Sequence, residues 1–172
     1  MSSSLVLTVC AHDRPGVMKL ISTTVEKCGG NWLESRMARL GGQFAGIVRL
    51  ECSEENLEAL SESLHTLSQE GIAVQIHAQG DLSDYPYTRC LRLEIFGNDR
   101  PGIVSQLTQA VSSVGANIEE LNTTIESAPM AGHAIFRAVG TVCVPDSTDE
   151  QQLVEAVESL SDDLNIEIAA TA

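Results

Sequence analysis

The tetrapeptide Asp-Arg-Pro-Gly occurs twice in the chain, at residues 13–16 and 99–102, each time after a short apolar run. Before each copy, apolar residues alternate with other residues as in a half-buried β-strand. After each copy, they recur every three or four residues as on one face of an α-helix. Proline presets the φ angle of a first helical turn, and glycine tolerates a tight turn. Each copy is therefore predicted to join a strand to a helix.

The two tetrapeptides belong to a longer internal repeat. A shift of 86 residues aligns residues 5–34 with residues 91–120 without a gap, and ten of these thirty pairs are identical. The same shift aligns residues 44–46 with residues 130–132, whereas the last strands of the two copies align only after a shift of 92. A tandem duplication with a small insertion in the second copy explains both shifts.

Within each copy the hydrophobic pattern predicts the order strand, helix, strand, strand, helix, strand. This order is typical of the split βαβ or ferredoxin-like fold, in which two helices cover one face of a four-stranded antiparallel sheet. The sequence therefore predicts an α+β protein of two such modules, residues 1–80 and 91–172. The polar stretch 81–90, which Pro86 interrupts, is predicted to be the linker, and the central hairpin is longer in the second module.

The charge of the chain argues against direct contact with nucleic acids. The chain contains ten Lys and Arg residues and 24 Asp and Glu residues. Its net charge of -14 divides into -5 for residues 1–84 and -9 for residues 85–172. Neither half offers the basic surface that displaces counterions from phosphates. No apolar run approaches the roughly 20 residues that span a bilayer, and the amino terminus lacks a signal-peptide pattern. We therefore expect no membrane contact and a cytoplasmic location.

The residues that could support catalysis or metal binding form no recognised motif. The five cysteines have no CxxC spacing, so buried free thiols are expected rather than disulfides or metal ligands. The four histidines show no H-x-x-H or H-E-x-x-H spacing. The sequence therefore predicts no enzyme, no metal and no cofactor. The residues concerned are Cys10, Cys28, Cys52, Cys90 and Cys143, and His12, His65, His77 and His133.

The repeated turn is the best candidate for a ligand site. The free N–H groups at the start of a helix favour a carboxylate, and Asp13 and Asp99 offer a partner for an ammonium group. A small amino acid carries both charges. Asn31 and Asn117, which follow the first helix of each module, are further candidates. The alternative stays open that the aspartates only cap their helices and the asparagines only take the left-handed conformation that ends them.

The succession of apolar strand, Asp-Arg-Pro-Gly, apolar helix, Gly-x-Asn, two strands, helix and strand resembles the ACT domain, a small ligand-sensing module of amino-acid metabolism. Two such modules cover residues 5–78 and 91–170. In that family the effector lies at an interface between modules, against the loop after the first strand and the asparagine after the first helix. The resemblance implies two matching sets of binding residues: Asp13, Arg14, Pro15, Gly16, Val17 and Asn31, and Asp99, Arg100, Pro101, Gly102, Ile103 and Asn117.

The tandem arrangement is similar to that of ACT proteins that regulate without being enzymes. The resemblance implies a transcriptional regulator of the glycine cleavage system that senses an amino acid, with glycine as the expected effector. It also implies action through protein contact with a DNA-binding transcriptional activator, with which the acidity agrees. The alternative is a regulatory subunit that confers amino-acid feedback control on a biosynthetic enzyme. Each module leaves a sheet face and edges uncovered, so a homodimer is a further expectation.

Overall fold

In the computed structural model the chain divides into two compact units, Met1–Asp81 and Leu82–Ala172, here called module 1 and module 2. The structure describes residues 2–78, 87–127, 134–160 and 164–170. Module 1 comprises β1 (Ser2–His12), α1 (Val17–Lys27), β2 (Asn31–Leu40), β3 (Gln43–Ser53), α2 (Leu57–Thr66) and β4 (Ile72–Ala78). Module 2 comprises β5 (Tyr87–Asn98), α3 (Ile103–Ser113), β6 (Asn117–Ser127), β7 (Ala134–Pro145), α4 (Glu150–Glu158) and β8 (Leu164–Ala170).

Each module forms one four-stranded antiparallel sheet, with strand order β2-β3-β1-β4 in module 1 and β6-β7-β5-β8 in module 2. The predicted α+β, ferredoxin-like fold class is confirmed. The first strand of module 2 begins at Tyr87, inside the stretch 81–90 that was predicted as the linker. The preceding residues, 79–86, lie outside the described part of the chain.

Each core lies between one face of the sheet and the two helices. The strands contribute every second residue and the helices every third or fourth, as the sequence pattern predicts. On the opposite face of the module 1 sheet, Ile47 of β3 is 54% exposed. Among the described residues, no helix combines the length and apolarity needed to cross a membrane. The central core residues include Leu7, Val9, Ile21, Val25, Leu50, Leu60 and Leu64 in module 1, and Leu91, Leu93, Ile95, Leu107, Val142, Leu153 and Val157 in module 2.

The strand register places the insertion of module 2 in the hairpin between β6 and β7. Gln43 lies opposite His12 in module 1, and Ile135 lies opposite Asn98 in module 2. Because His12 and Asn98 are related by a shift of 86, strands β3 and β7 are related by a shift of 92. The alignment of residues 44–46 with residues 130–132 is therefore wrong, since a hairpin loop accepts extra residues without changing the strand pairing.

The structure also corrects the prediction for the cysteines. A disulfide joins Cys90 of β5 to Cys143 of β7, which lie opposite each other in the antiparallel ladder. Residue spacing could not reveal this pair, because the register of two strands 53 residues apart brings the sulfurs together. The other three cysteines are free, as predicted, but Cys10 is exposed, Cys28 is half-buried and Cys52 is buried.

We expect iodoacetamide to alkylate Cys10 faster than Cys52 in the folded protein. Burial raises the pKa of the Cys52 thiol above its usual value, and the neighbouring Cys28 adds to the rise. Less of the nucleophilic thiolate is therefore present at neutral pH. Mass spectrometry of timed digests measures both rates, and the same experiment in concentrated urea is the control in which the rates should converge. Equal rates in the folded protein would contradict the burial of Cys52.

Candidate functional site

Both copies of Asp-Arg-Pro-Gly form the same backbone turn. The N–H group of Asp13 donates to the carbonyl oxygen of Gly42 at 2.9 Å, and Asp99 makes the equivalent bond in module 2, also at 2.9 Å. Gly16 and Gly102 adopt the left-handed conformation with φ angles of 94° and 90°, which side chains disfavour. A Cβ atom at either glycine would meet no atom within 4 Å. The backbone angle therefore requires these glycines, and the space in front of them is open.

The helices start later than the sequence predicts. The N-cap residues of α1 and α3 are Gly16 and Gly102, and no side chain caps either helix. The interpretation of Asp13 and Asp99 as N-caps is therefore wrong, because the left-handed glycine inserts a turn between proline and helix. The Gly16 carbonyl accepts the first helical hydrogen bond, which leaves the N–H groups of the first turn without an intrahelical acceptor.

The two turns differ in charge although their backbones match. In module 1 the Asp13 carboxylate pairs with the Arg39 guanidinium of β2 at 2.6 Å. The residue related to Arg39 by the 86-residue shift is Ile125, which is 57% exposed. Within the described ranges, the Asp99 side chain accordingly has no ion pair or hydrogen bond. Among the described residues, a cation therefore contacts the carboxylate of Asp13 but not that of Asp99.

The arginines of the two turns also differ. The Arg14 guanidinium donates to the carbonyl oxygen of Glu70 at 2.5 Å, at the end of the short 3-10 turn Leu67–Glu70 that follows α2. This hydrogen bond connects the turn to the end of the α2 segment. Arg100 is half-buried and makes no hydrogen bond to a residue in the described part of module 2.

The predicted asparagines lie at the other end of each module. Asn31 begins β2 and lies opposite Glu51 of β3, which in turn lies opposite Ser4 near the start of β1. Asp13 follows the end of the same strand. Nine residues of strand at ~3.3 Å each separate the two positions by about 30 Å. Asn117 and Asp99 are separated in the same way. One module therefore does not bring its own turn and its own asparagine to a single small ligand.

The asparagines do not end the preceding helices by adopting a left-handed conformation. Gly29 and Gly115 take that conformation, with φ angles of 68° and 74°, and no other residue type has a positive φ angle in the described part of the chain. Asn31 and Asn117 are already the first residues of β2 and β6. The purely conformational explanation for these asparagines is therefore wrong, and their role in binding stays a prediction.

The described histidines do not assemble into a catalytic group. His12 accepts a hydrogen bond from Gln43 at 3.1 Å, His65 on α2 contacts the carbonyl oxygen of Ser61, and His77 on β4 contacts the hydroxyl of Thr8. Each thus has its own local partner. His133 lies outside the described residues.

No motif in the sequence indicated that Arg39 would lie beside Asp13. Arg39 immediately precedes the Leu40-Gly41-Gly42 hairpin, and the hairpin folds the end of β2 back towards the end of β1. Knowing that Gln43 lies opposite His12 would have placed Arg39 near the turn. That register depends on the pairing of β1 with β3, which residue spacing alone does not reveal.

Two βαββαβ modules that each carry an Asp-Arg-Pro-Gly turn after the first strand are the architecture of a duplicated ACT domain. The ACT domain profile matches residues 3–79, and a second ACT domain profile matches residues 91–162. The chain belongs to the ACT domain family and contains two of these domains in tandem, which confirms the resemblance seen in the sequence.

Several known proteins are similar to this chain over most or all of its length. The chain is 25% identical over 162 residues to the glycine cleavage system transcriptional repressors of Escherichia coli and Shigella flexneri, covering 94% of this chain and 85% of theirs. The crystal structure of an unknown protein from Galdieria sulphuraria matches with 29% identity, full coverage of both chains and a TM-score of 0.88. A crystal structure provisionally assigned to a glycine cleavage system transcriptional repressor matches with 18% identity, 99% coverage of both chains and a TM-score of 0.71, which shows the shared fold. This homology supports a regulatory role.

Proposed function

We propose that the chain is a non-enzymatic, cytoplasmic regulator that senses a small amino acid and controls transcription of the glycine cleavage system through contact with a DNA-binding activator. The observation that carries the proposal is the match to repressors of that system over 94% of the chain, across both ACT domains. The net charge of -14 supports an indirect mode of action, because DNA phosphates repel an acidic surface.

In this proposal the amino acid binds at the repeated turn. Its carboxylate accepts from the unpaired N–H groups at the start of the helix, and its ammonium group pairs with the aspartate. The Asp13 carboxylate is already paired with the Arg39 guanidinium, whereas Asp99 has no side-chain partner among the described residues. We therefore expect the amino acid to bind more tightly at the turn of module 2. A module's own asparagine takes no part in binding at its turn, since the two positions lie about 30 Å apart at ~3.3 Å per strand residue.

We expect Asp13→Ala combined with Asp99→Ala to weaken binding of glycine by at least about tenfold, since a charge-assisted hydrogen bond contributes ~1.5–3 kcal/mol. Isothermal titration calorimetry of the full chain, with glycine and related amino acids at millimolar concentration, measures the affinity. The matched control is Glu26→Ala with Glu155→Ala, which removes two exposed carboxylates that lie on α1 and α4, outside the turns.

Three further variants distinguish the two turns. Asp99→Asn alone should lower the affinity more than Asp13→Asn alone, because Asp13 is paired with Arg39. Arg39→Gln should strengthen binding at the first turn by freeing the Asp13 carboxylate. If the double alanine variant bound glycine with unchanged affinity, the aspartates would not be part of the binding site. Absence of binding by every amino acid tested would contradict the sensing role.

The partner is tested separately from the effector. The purified chain alone should not shift operator DNA in a gel at physiological salt, whereas it should co-purify with a DNA-binding activator that is identified by mass spectrometry. Recovery of an amino-acid biosynthetic enzyme as the specific partner would instead favour the alternative of a feedback-regulatory subunit. A direct DNA complex would contradict the indirect mode.

A further inference from the structure

A cluster of two sulfur atoms and one carboxylate lies on the sheet of module 2, at the opposite end from the repeated turn. Cys90 of β5 and Cys143 of β7 face each other, and Glu119 of β6 lies beside them. One carboxylate oxygen of Glu119 is 3.4 Å from the sulfur of Cys143 and 3.9 Å from the sulfur of Cys90. We propose that, when the disulfide is reduced, these three side chains form a binding site for Zn²⁺.

A β-bulge positions the carboxylate. The pairing of β6 with β7 runs from Ile118 opposite Val142 directly to Glu120 opposite Thr141, so Glu119 is the extra residue. A bulge re-aims the side chain that it carries, and here Glu119 meets the sulfur pair of the two neighbouring strands. Its carboxylate is exposed to solvent, whereas Cys143 is buried, so a hydrated metal ion can reach the cluster from outside.

The fold does not demand this set of side chains. Module 1 has the same bulge, between Trp32 and Glu34 of β2. The positions that correspond to Glu119, Cys90 and Cys143 carry Leu33, Ser4 and Glu51 there, by shifts of 86, 86 and 92. The backbone is therefore shared by both modules, while the sulfur and carboxylate ligands are specific to module 2.

The chemistry of the cluster fits the reduced state better than the disulfide. A disulfide sulfur carries no proton, so it donates no hydrogen bond to the carboxylate that lies against it. Reduction by a dithiol adds two electrons and two protons, breaks the S–S bond and yields two thiols while the reductant becomes a disulfide. Zn²⁺ then displaces the two thiol protons and binds the thiolates together with the carboxylate, a donor set that zinc prefers.

The distances agree with tetrahedral zinc. Bonds of about 2.3 Å to sulfur and about 2.1 Å to oxygen, at the tetrahedral angle, place sulfur and oxygen about 3.6 Å apart. The two sulfur-to-oxygen distances, 3.4 and 3.9 Å, lie on either side of this value. The two sulfurs have to separate to about 3.8 Å, which rotation of the cysteine side chains between staggered conformers provides. Water occupies the fourth position.

Zinc binding is tested on the full chain after reduction with a phosphine and removal of metals with a chelator. We expect one Zn²⁺ per chain in competition with a chromophoric chelator, and a thiolate-to-metal charge-transfer band when Co²⁺ replaces Zn²⁺. Cys90→Ser with Cys143→Ser should lower the affinity by more than about 100-fold, the upper range for loss of an outer-shell partner alone. Glu119→Gln replaces a charged oxygen ligand with a neutral one, so it should lower the affinity by at least about tenfold, the lower limit for loss of an outer-shell partner, and keep the charge-transfer band.

Matched variants distinguish this cluster from other thiols and acids. Cys10→Ser with Cys28→Ser also removes two thiols but should still bind one Zn²⁺, and Glu126→Gln removes a carboxylate farther along β6 without effect. In the wild-type protein, Zn²⁺ should slow alkylation of Cys90, a measurement that needs no variant. The oxidised protein should not bind. The proposal is overturned if the reduced chain binds no Zn²⁺ at micromolar concentration, or if the disulfide form or the Cys90→Ser/Cys143→Ser variant binds equally well.

Discussion

Replacement of Leu107 by alanine is expected to lower the free energy of unfolding of module 2 by about 2–5 kcal/mol. Leu107 lies in the middle of α3, is fully buried and belongs to the same core cluster as Ile95 and Leu153. Truncation removes apolar surface from the core and leaves a cavity that the close-packed neighbours fill only in part. Because the module is small, such a loss is a large share of its total stability.

Urea unfolding followed by circular dichroism measures the change in the free energy of unfolding. Hydrogen exchange of the β5 and β7 amides shows whether the substitution also destabilises the sheet against which the helix packs. The control is Val104→Ala, three residues earlier on the same helix, where the side chain is 41% exposed. Its cost should stay within about 0.5 kcal/mol. Equal costs for the two substitutions would contradict the orientation of α3 on the sheet.

Gly140→Ala is expected to destabilise module 2 by about 3 kcal/mol, at the upper end of the range for overpacking. A Cβ atom at this position on β7 would lie 2.2 Å from the carbonyl oxygen of Glu120 on the adjacent strand. That oxygen belongs to the backbone of a paired strand, so it cannot turn away as a flexible side chain would. The substitution therefore has to force β6 and β7 apart next to the bulge at Glu119.

The midpoint of thermal unfolding reports this change, at roughly 4–8 °C for each kcal/mol in a domain of this size. The matched control is Thr141→Ala, the next residue on the same strand, which should shift the midpoint far less because it adds no atom. If Gly140→Ala unfolded with the wild-type midpoint, the close approach of β6 and β7 would be wrong. The spacing of the proposed zinc ligands would then be wrong too, since Glu119 and Cys143 lie on these strands.

Much of the candidate site was accessible from the sequence because it depends on local backbone conformation. The Asp-Arg-Pro-Gly repeat correctly predicted a strand-to-helix turn in both modules, since proline and glycine restrict or release φ angles independently of what surrounds them. The same reasoning failed for the helix start. Glycine at position 16 takes a left-handed angle and becomes the N-cap itself, so Asp13 is released to pair with Arg39.

The sequence by itself determined the duplication, the order of strands and helices, the buried face of each element and the acidic charge. These follow from periodicity and composition, which are properties of short stretches of chain. Only the tertiary structure decided which residues meet across strands. It paired Asp13 but left Asp99 without a side-chain partner in the described residues, separated each asparagine from its own turn, and placed Cys90 against Cys143 beside Glu119. The physical reason is strand register, because pairing over a whole ladder and its bulges sets which distant residues come within bonding distance.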